Sequence, residues 1–139
     1  GAKDEKERAY IQSLINDTKV LSVYEYTTDV ESVYANLDIF VLPSWSETMP
    51  LVVLEAMQAG VCVIQTNHSG MTELMHDGKE CLFISPEKPE SLYQALIRCM
   101  DDFLRMKIAL NGQQFIRDWM IKNNYQQNII SIFNHIFNE

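Results

Sequence analysis

The sequence predicts an α/β protein, a parallel sheet layered between helices and followed by a helical tail. Three observations carry this. Short apolar runs, Ile39-Phe40-Val41-Leu42, Val61-Cys62-Val63-Ile64 and Leu82-Phe83-Ile84, alternate with segments of helical periodicity. Each run is apolar at every position, as strands covered on both faces are. From Phe103 onward only helical spacing remains. Strands alternating with helices make βαβ units with right-handed crossovers.

Element by element, residues 4–16 place Ala9, Ile11, Leu14 and Ile15 at helical spacing. Residues 20–24 form a short β-prone run. Asp29 precedes Val30, Val33, Tyr34 and Leu37, an N-cap ahead of a helical stripe. The run 39–42 ends at Pro43 and reads as a fully buried parallel strand. Pro50 suits the first turn of a helix that runs to Gly60, a natural residue just past a helix end. Strand 61–64 follows. Residues 71–75 suggest a short helix closed by Asp77-Gly78, and 82–84 a third strand. Residues 86–101 read as a helix with Pro89 in its first turn. The tail predicts a break near Asn123-Asn124 and a last helix ending near Phe137, striped by Ile129, Ile130, Phe133 and Ile136.

At 139 residues, with 47% hydrophobic and 22% charged side chains, the chain is one domain's worth of ordinary folded protein. A net charge of -8 argues against nonspecific binding to nucleic acid or anionic lipid, which needs a basic face. Cys62, Cys81 and Cys99 match no zinc spacing; Cys62 and Cys81 sit in apolar runs. They read as reduced core residues, which suits a cytoplasmic compartment. No run approaches the ~18 apolar residues of a membrane span, and no metal site is expected.

Between Glu47 and Glu73, Glu55 is the only charged side chain. It lies in a segment apolar enough to be buried. Buried carboxylates need partners, so either Glu55 points out of the core or something polar is bound to it. In parallel sheets ligands bind outside the carboxyl ends of the strands. Glu47 follows the carboxyl end of 39–42, and the helix from Pro50 aims its amide-bearing N-terminus at the same edge. On a helix, residues eight apart lie ~12 Å apart along the axis. That separation is wider than the ~5–9.5 Å of glycosidase carboxyl pairs; with Glu47 in the loop before the helix, the separation stays open. The spacing favours one extended ligand touched at two points, with hydroxyls at its ends and phosphate between.

The stretch D-I-F-V-L-P-S-x-x-E-x-x-P-L-V-V-L-E-A-M-x-A-G-V-x-V-I-x-T, then S-G-x-x-E-L, resembles the nucleotide-sugar-binding domain of GT-B glycosyltransferases. The retaining group often called family 4, whose hallmark is E-x7-E, is the closest resemblance; Glu47 and Glu55 supply that motif. The resemblance implies a Rossmann-like three-layer fold, the C-terminal half of a GT-B enzyme. It implies that Glu47 is the catalytic-side carboxylate facing the transferred sugar and that Glu55 binds ribose hydroxyls. Thr48, Met49, Pro50, Leu51 and Val52 would line the sugar and diphosphate, and Tyr26 would pass near the base. Glu73 would serve structure. Thr48 stands where the family often has Gly, and Cys62 where it usually has Pro.

The resemblance further implies that residues 1–139 are a single partial domain. The acceptor-binding domain and the family's Arg and Lys for the diphosphate would precede residue 1. The substrate would be a UDP- or GDP-linked hexose, with no cofactor, and the acceptor a glycan or lipid-linked glycan of bacterial surface polysaccharide biosynthesis. The full protein would be cytoplasmic, with peripheral contact at the inner face of the membrane open to it. The final helix, which crosses to the other domain in GT-B enzymes, would be free to pair two copies. This chain alone should not transfer sugar. A second reading stays open: a degenerate Rossmann-like module kept for binding or interaction. Trp45 and His68 flank the motif; they read first as a surface-packed aromatic and a solvated or capping histidine.

Overall fold

The computed structural model describes residues 26–123 throughout and, before them, residues 6, 9, 10, 12–14, 20, 22 and 24. The chain divides into two compact units, 1–30 and 31–139. In the first, the described residues from 6 to 14 are helical, in agreement with the spacing of 4–16. Residues 20, 22 and 24 carry no strand, and Val20 and Tyr24 are each 88% exposed. The β-prone run at 20–24 is therefore not a strand at these positions. β-propensity expresses fit to a pleated, half-buried surface, and these side chains are not buried. Leu21 and Val23 lie outside the described residues, as do residue 124, the second half of the predicted break, and the helix ending near Phe137.

Helix α1 (Val30–Ala35) is followed by β1 (Ile39–Leu42), α2 (Leu51–Gln58), β2 (Cys62–Thr66) and a 3-10 turn (Gly70–Glu73). Then come β3 (Leu82–Ile84), α3 (Pro89–Cys99) and α4 (Asp102–Asn123). The strands are parallel in the order β1-β2-β3, with Ile39 opposite Cys62 and Ile64 opposite Leu82. Strands 39–42 and 82–84 fall where the apolar runs predict. Yet β1 is only half-buried along its length, because it forms an edge of the described sheet. The stripe predicted for α1 is used at one position: Tyr34 is buried, whereas Val30, Val33 and Leu37 stay 38–44% exposed. A six-residue helix, under two turns, turns few side chains inward.

The central strand separates two cores. Val63 points to one face, with Val53, Ala56 and Met57 of α2 and with Tyr34. Cys62 and Ile64 point to the other, with Leu82, Ile84, and Ala95 and Cys99 of α3. The period-2 alternation of a strand does this. Helix α4 belongs to both, placing Ile108 in the second core and Ile116 in the first. Where it crosses, Gly112 is buried, and a Cβ there would lie 2.8 Å from the Glu80 carbonyl oxygen. Next door, Asn111 Nδ2 donates to the Lys79 carbonyl at 3.0 Å.

β2 runs two residues beyond the predicted 61–64, burying Gln65 and Thr66. Gln65 Nε2 points at Met75 Sδ (3.5 Å) and Cys81 Sγ (3.8 Å), while its Oε1 has no hydrogen-bond partner among the described residues. All three cysteines are free and buried. Burial pushes the Cys62 and Cys81 thiols up to about 12, so they stay protonated and unreactive.

Helix α2 starts one residue later than predicted, with Pro50 as its N-cap; Gly60 (φ 78°) follows its C-cap Ala59. Helix α3 starts at Pro89, three residues after the predicted 86. The intervening turn holds Glu87 at φ 56°, in the left-handed region. That conformation costs an L-residue ~1–2 kcal/mol, more than the ~0.5–1 kcal/mol entropy penalty of glycine. Glu87→Gly should therefore raise the thermal midpoint by a few degrees. An unchanged or lowered midpoint in a calorimetric scan would contradict this.

Candidate functional site at the carboxyl edge of the sheet

The loop after β1 is pinned to the end of β2 at two points. Thr66 Oγ1 donates to the Ser44 carbonyl at 2.7 Å. Further on, Glu47 N–H donates to the His68 carbonyl (3.3 Å), and Gly70 N–H donates to the Glu47 carbonyl (2.9 Å). These two bonds make a parallel bridge between Glu47 and Ser69, extending the β1–β2 pairing past the strand ends. Ser69 is buried, and its Oγ accepts from Met71 N–H at 3.2 Å, capping the 3-10 turn. The Glu47 backbone is thus fixed, and its side chain is half-buried.

Because α2 begins at Leu51, Glu47 lies in the loop, and the helical ~12 Å separation from Glu55 does not apply. Thr48 and Met49 are exposed; Pro50 is buried. Val53 and Leu54 both direct their amides at the Pro50 carbonyl (3.0 and 3.4 Å). The Leu51 and Val52 amides lie beyond reach of any intrahelical acceptor, and no side chain caps the helix. An uncapped N-terminus with no acidic residue in its first turn is open to an anion.

On α2 the buried positions are Val53, Leu54, Ala56 and Met57; Leu51, Val52, Glu55 and Gln58 face away from the core. So Glu55 points outward, and it also has a polar partner. The Tyr34 hydroxyl donates to Glu55 Oε2 at 3.0 Å and stands 3.3 Å from the Val52 carbonyl. The Tyr34 ring is held edge-on to Phe40, with centroids 5.9 Å apart. The sequence marks Tyr34 as a core stripe residue only. The readable signal was the hydroxyl itself, since a phenylalanine would pack as well.

Tyr34 is pushed up to about 12 by burial first, then by the hydrogen bond to Glu55 and its charge. The native state thus favours the neutral phenol, whose pKa is ~10 when unfolded. This contribution is fully present below about pH 10 and is lost as pH rises through about 12. Denaturant midpoints measured from pH 9 upward should fall more steeply for the wild type than for Tyr34→Phe. Parallel curves would contradict the assignment.

The structure brings Glu47, Thr48, Met49, Pro50, Leu51, Val52 and Glu55 together along one loop and helix start. Tyr26 is 90% exposed and belongs to the 1–30 unit. Trp45 is 65% exposed. His68 is exposed and contributes its carbonyl to the Glu47 strap. Glu73, at the end of the 3-10 turn, is exposed. A concavity of about 480 Å³ lies along α4 between Lys79 and Trp119 and includes neither Glu47 nor Glu55. Extended ligands laid along a sheet edge need no closed cavity. Among the described residues no cluster of His, Cys, Asp and Glu fits a metal ion, and no helix is long and apolar enough to cross a membrane.

An open sheet of three parallel strands with helices on both faces is the architecture of Rossmann-like C-terminal domains of the GT-B type. A family model described as "Glycosyl transferases group 1" matches residues 1–102, and the chain belongs to this family. It is 30% identical over 107 residues to D-inositol 3-phosphate glycosyltransferase of Paenarthrobacter aurescens, covering 73% of this chain and 25% of that protein. It is 33% identical over 91 residues to UDP-Gal:alpha-D-GlcNAc-diphosphoundecaprenol alpha-1,3-galactosyltransferase of Escherichia coli, covering 66% and 24% respectively. The chain thus spans about a quarter of the length of these relatives. A crystal structure of HepE from Anabaena in complex with UDP-glucose matches in fold, with a TM-score of 0.76 at 19% identity, covering 93% of this chain and 38% of that one.

Proposed function

We infer that this chain is the donor-binding part of a retaining glycosyltransferase. The whole enzyme transfers a hexose from a nucleotide-diphosphate sugar to a glycan or lipid-linked acceptor, in bacterial surface polysaccharide biosynthesis. The observation that carries the reading is Glu55, turned outward on α2 just behind an uncapped helix N-terminus, with Glu47 strapped at the loop before it. The bacterial relative that uses UDP-galactose and a diphosphoundecaprenol acceptor, and the neighbour bound to UDP-glucose, support the substrate class.

In this reading Glu55 accepts hydrogen bonds from the ribose diol. The Leu51 and Val52 amides and the α2 dipole take the diphosphate. As the sugar–phosphate bond breaks, negative charge grows on the departing nucleoside diphosphate, and those fixed dipoles stabilise it without reorganising. Glu47 faces the hexose, whose hydroxyls its carboxylate orients. Thr48, Met49 and Pro50 line the sugar.

Titration of the chain with UDP, GDP, ADP and their hexose conjugates, followed by ligand-observed NMR, tests this. One nucleotide series should bind, and Glu55→Ala should weaken it by about tenfold or more, the loss of a charge-assisted hydrogen bond. Equal binding by wild type and variant, or no binding of any nucleotide at millimolar concentration, would overturn the reading.

A further inference from the structure

The helix that carries Glu55 does nothing to hold its carboxylate. Glu55 is exposed, mid-helix, and flanked by Leu51, Val52 and Gln58, none of which hydrogen-bonds to its carboxylate. A free glutamate on a helix surface samples several rotamers, and fixing its side chain for a ligand costs entropy at the moment of binding. Here one oxygen is already held. Tyr34 comes from a different helix, is only 8% exposed, and is locked by its edge contact with Phe40. Its hydroxyl reaches Glu55 Oε2 at 3.0 Å. The Val52 carbonyl, at 3.3 Å, is the longer and uncharged alternative, so the single phenolic proton goes to the carboxylate.

We propose that Tyr34 is the positioning residue for Glu55: it fixes the carboxylate through Oε2 and leaves Oε1 turned to a vicinal diol of the ligand. The inference rests on the reading of Glu55 as the ribose-binding group and adds a residue to it. A tyrosine suits this role. It donates but carries no charge, so it neither neutralises the carboxylate nor repels a diphosphate nearby. Its rigid ring spans from the buried core to the surface with few rotatable bonds. The hydroxyl is also the only part of Tyr34 that Tyr34→Phe removes, which leaves the packing on Phe40 in place.

Two measurements on the intact chain test it. The first is the order of the Glu55 side chain, from NMR relaxation and couplings at Cγ, with no ligand present. Wild type should show one dominant rotamer, and Tyr34→Phe should show averaging over several. The second is affinity for UDP, GDP and ADP in a cycle of Tyr34→Phe, Glu55→Gln and the double variant. Tyr34→Phe should weaken binding about threefold to tenfold, as expected for one lost hydrogen bond. The double variant should be no weaker than Glu55→Gln alone, since Tyr34 acts only through Glu55. An ordered Glu55 in Tyr34→Phe would overturn the proposal even if no nucleotide binds. So would unchanged affinity in Tyr34→Phe alongside a loss in Glu55→Gln, which leaves the ribose reading standing. If Glu55→Gln binds like wild type, the ribose reading itself fails and the positioning role falls with it.

Discussion

Gly70→Ala should lower the thermal midpoint by roughly 10 °C and, on the function proposed above, abolish nucleotide binding. The residue has no unusual backbone angle to protect; what it lacks is room. A Cβ at position 70 would fall far inside contact distance of the Thr48 carbonyl oxygen, with the Thr48 carbonyl carbon 3.3 Å away. Both atoms are backbone, so no rotamer change relieves the overlap. The Gly70 amide is also bound to the Glu47 carbonyl at 2.9 Å, so the new methyl wedges against the segment to which the residue is tied. Overpacking of this kind costs ~1–3 kcal/mol, and a unit of about 100 residues loses ~4–8 °C per kcal/mol. The chain can escape only by pushing the Glu47 strap outward, which displaces Glu47 and Thr48 together. A variant that melts within about 2 °C of wild type and binds nucleotide normally would show that the strap is not held in this way.

The second large effect concerns α4. In an exposed helix interior, Gly→Ala stabilises by ~1 kcal/mol. At Gly112 the sign should reverse. The added methyl would sit 2.8 Å from the Glu80 carbonyl oxygen and 3.4 Å from Met57 Cγ. The methionine can give way; the carbonyl cannot move without disturbing the neighbouring Asn111–Lys79 hydrogen bond. We expect a net loss of up to about 2 kcal/mol after the propensity gain of ~1 kcal/mol is subtracted from an overpacking cost of ~1–3 kcal/mol, read from urea midpoints at unchanged slope. A gain in stability would show that α4 stands further from the 79–80 turn than described.

Much of this architecture was legible because its signals are local. The run at 39–42 is bounded by Asp38 and Pro43 and the run at 82–84 ends at Ser85, and both became strands at those limits. Pro50 and Gly60 bracket α2, and Pro89 opens α3, because each removes or permits a backbone conformation where a helix begins or ends. The carboxylate pair stood out for the same reason: Glu55 is a lone charge in an apolar segment. What escaped depends on residues far apart in sequence. Gln65 and Thr66 are polar and so read as the end of a strand, yet as part of the central strand they are buried. The run at 20–24 had the composition of a strand but not the burial that makes one. Tyr34 meets Glu55 across 21 positions, and Glu47 pairs with Ser69 beyond the strand ends; no periodicity reports either contact. The helical spacing of Glu47 and Glu55 holds only for two residues on one helix, and Glu47 lies in the loop before it.

Helix α4, with Ile108 in one core and Ile116 in the other, makes the two sides of the sheet answerable to each other. In a sheet covered by separate helices, one layer can open transiently while its opposite stays closed. Here neither layer can lift without drawing on the anchor of the other. Fluctuations large enough to expose one core should therefore draw on both, and amides on both sides of β2 are expected to exchange with solvent through a common opening event. The carboxyl edge is strapped to that same body at Ser44 and Glu47.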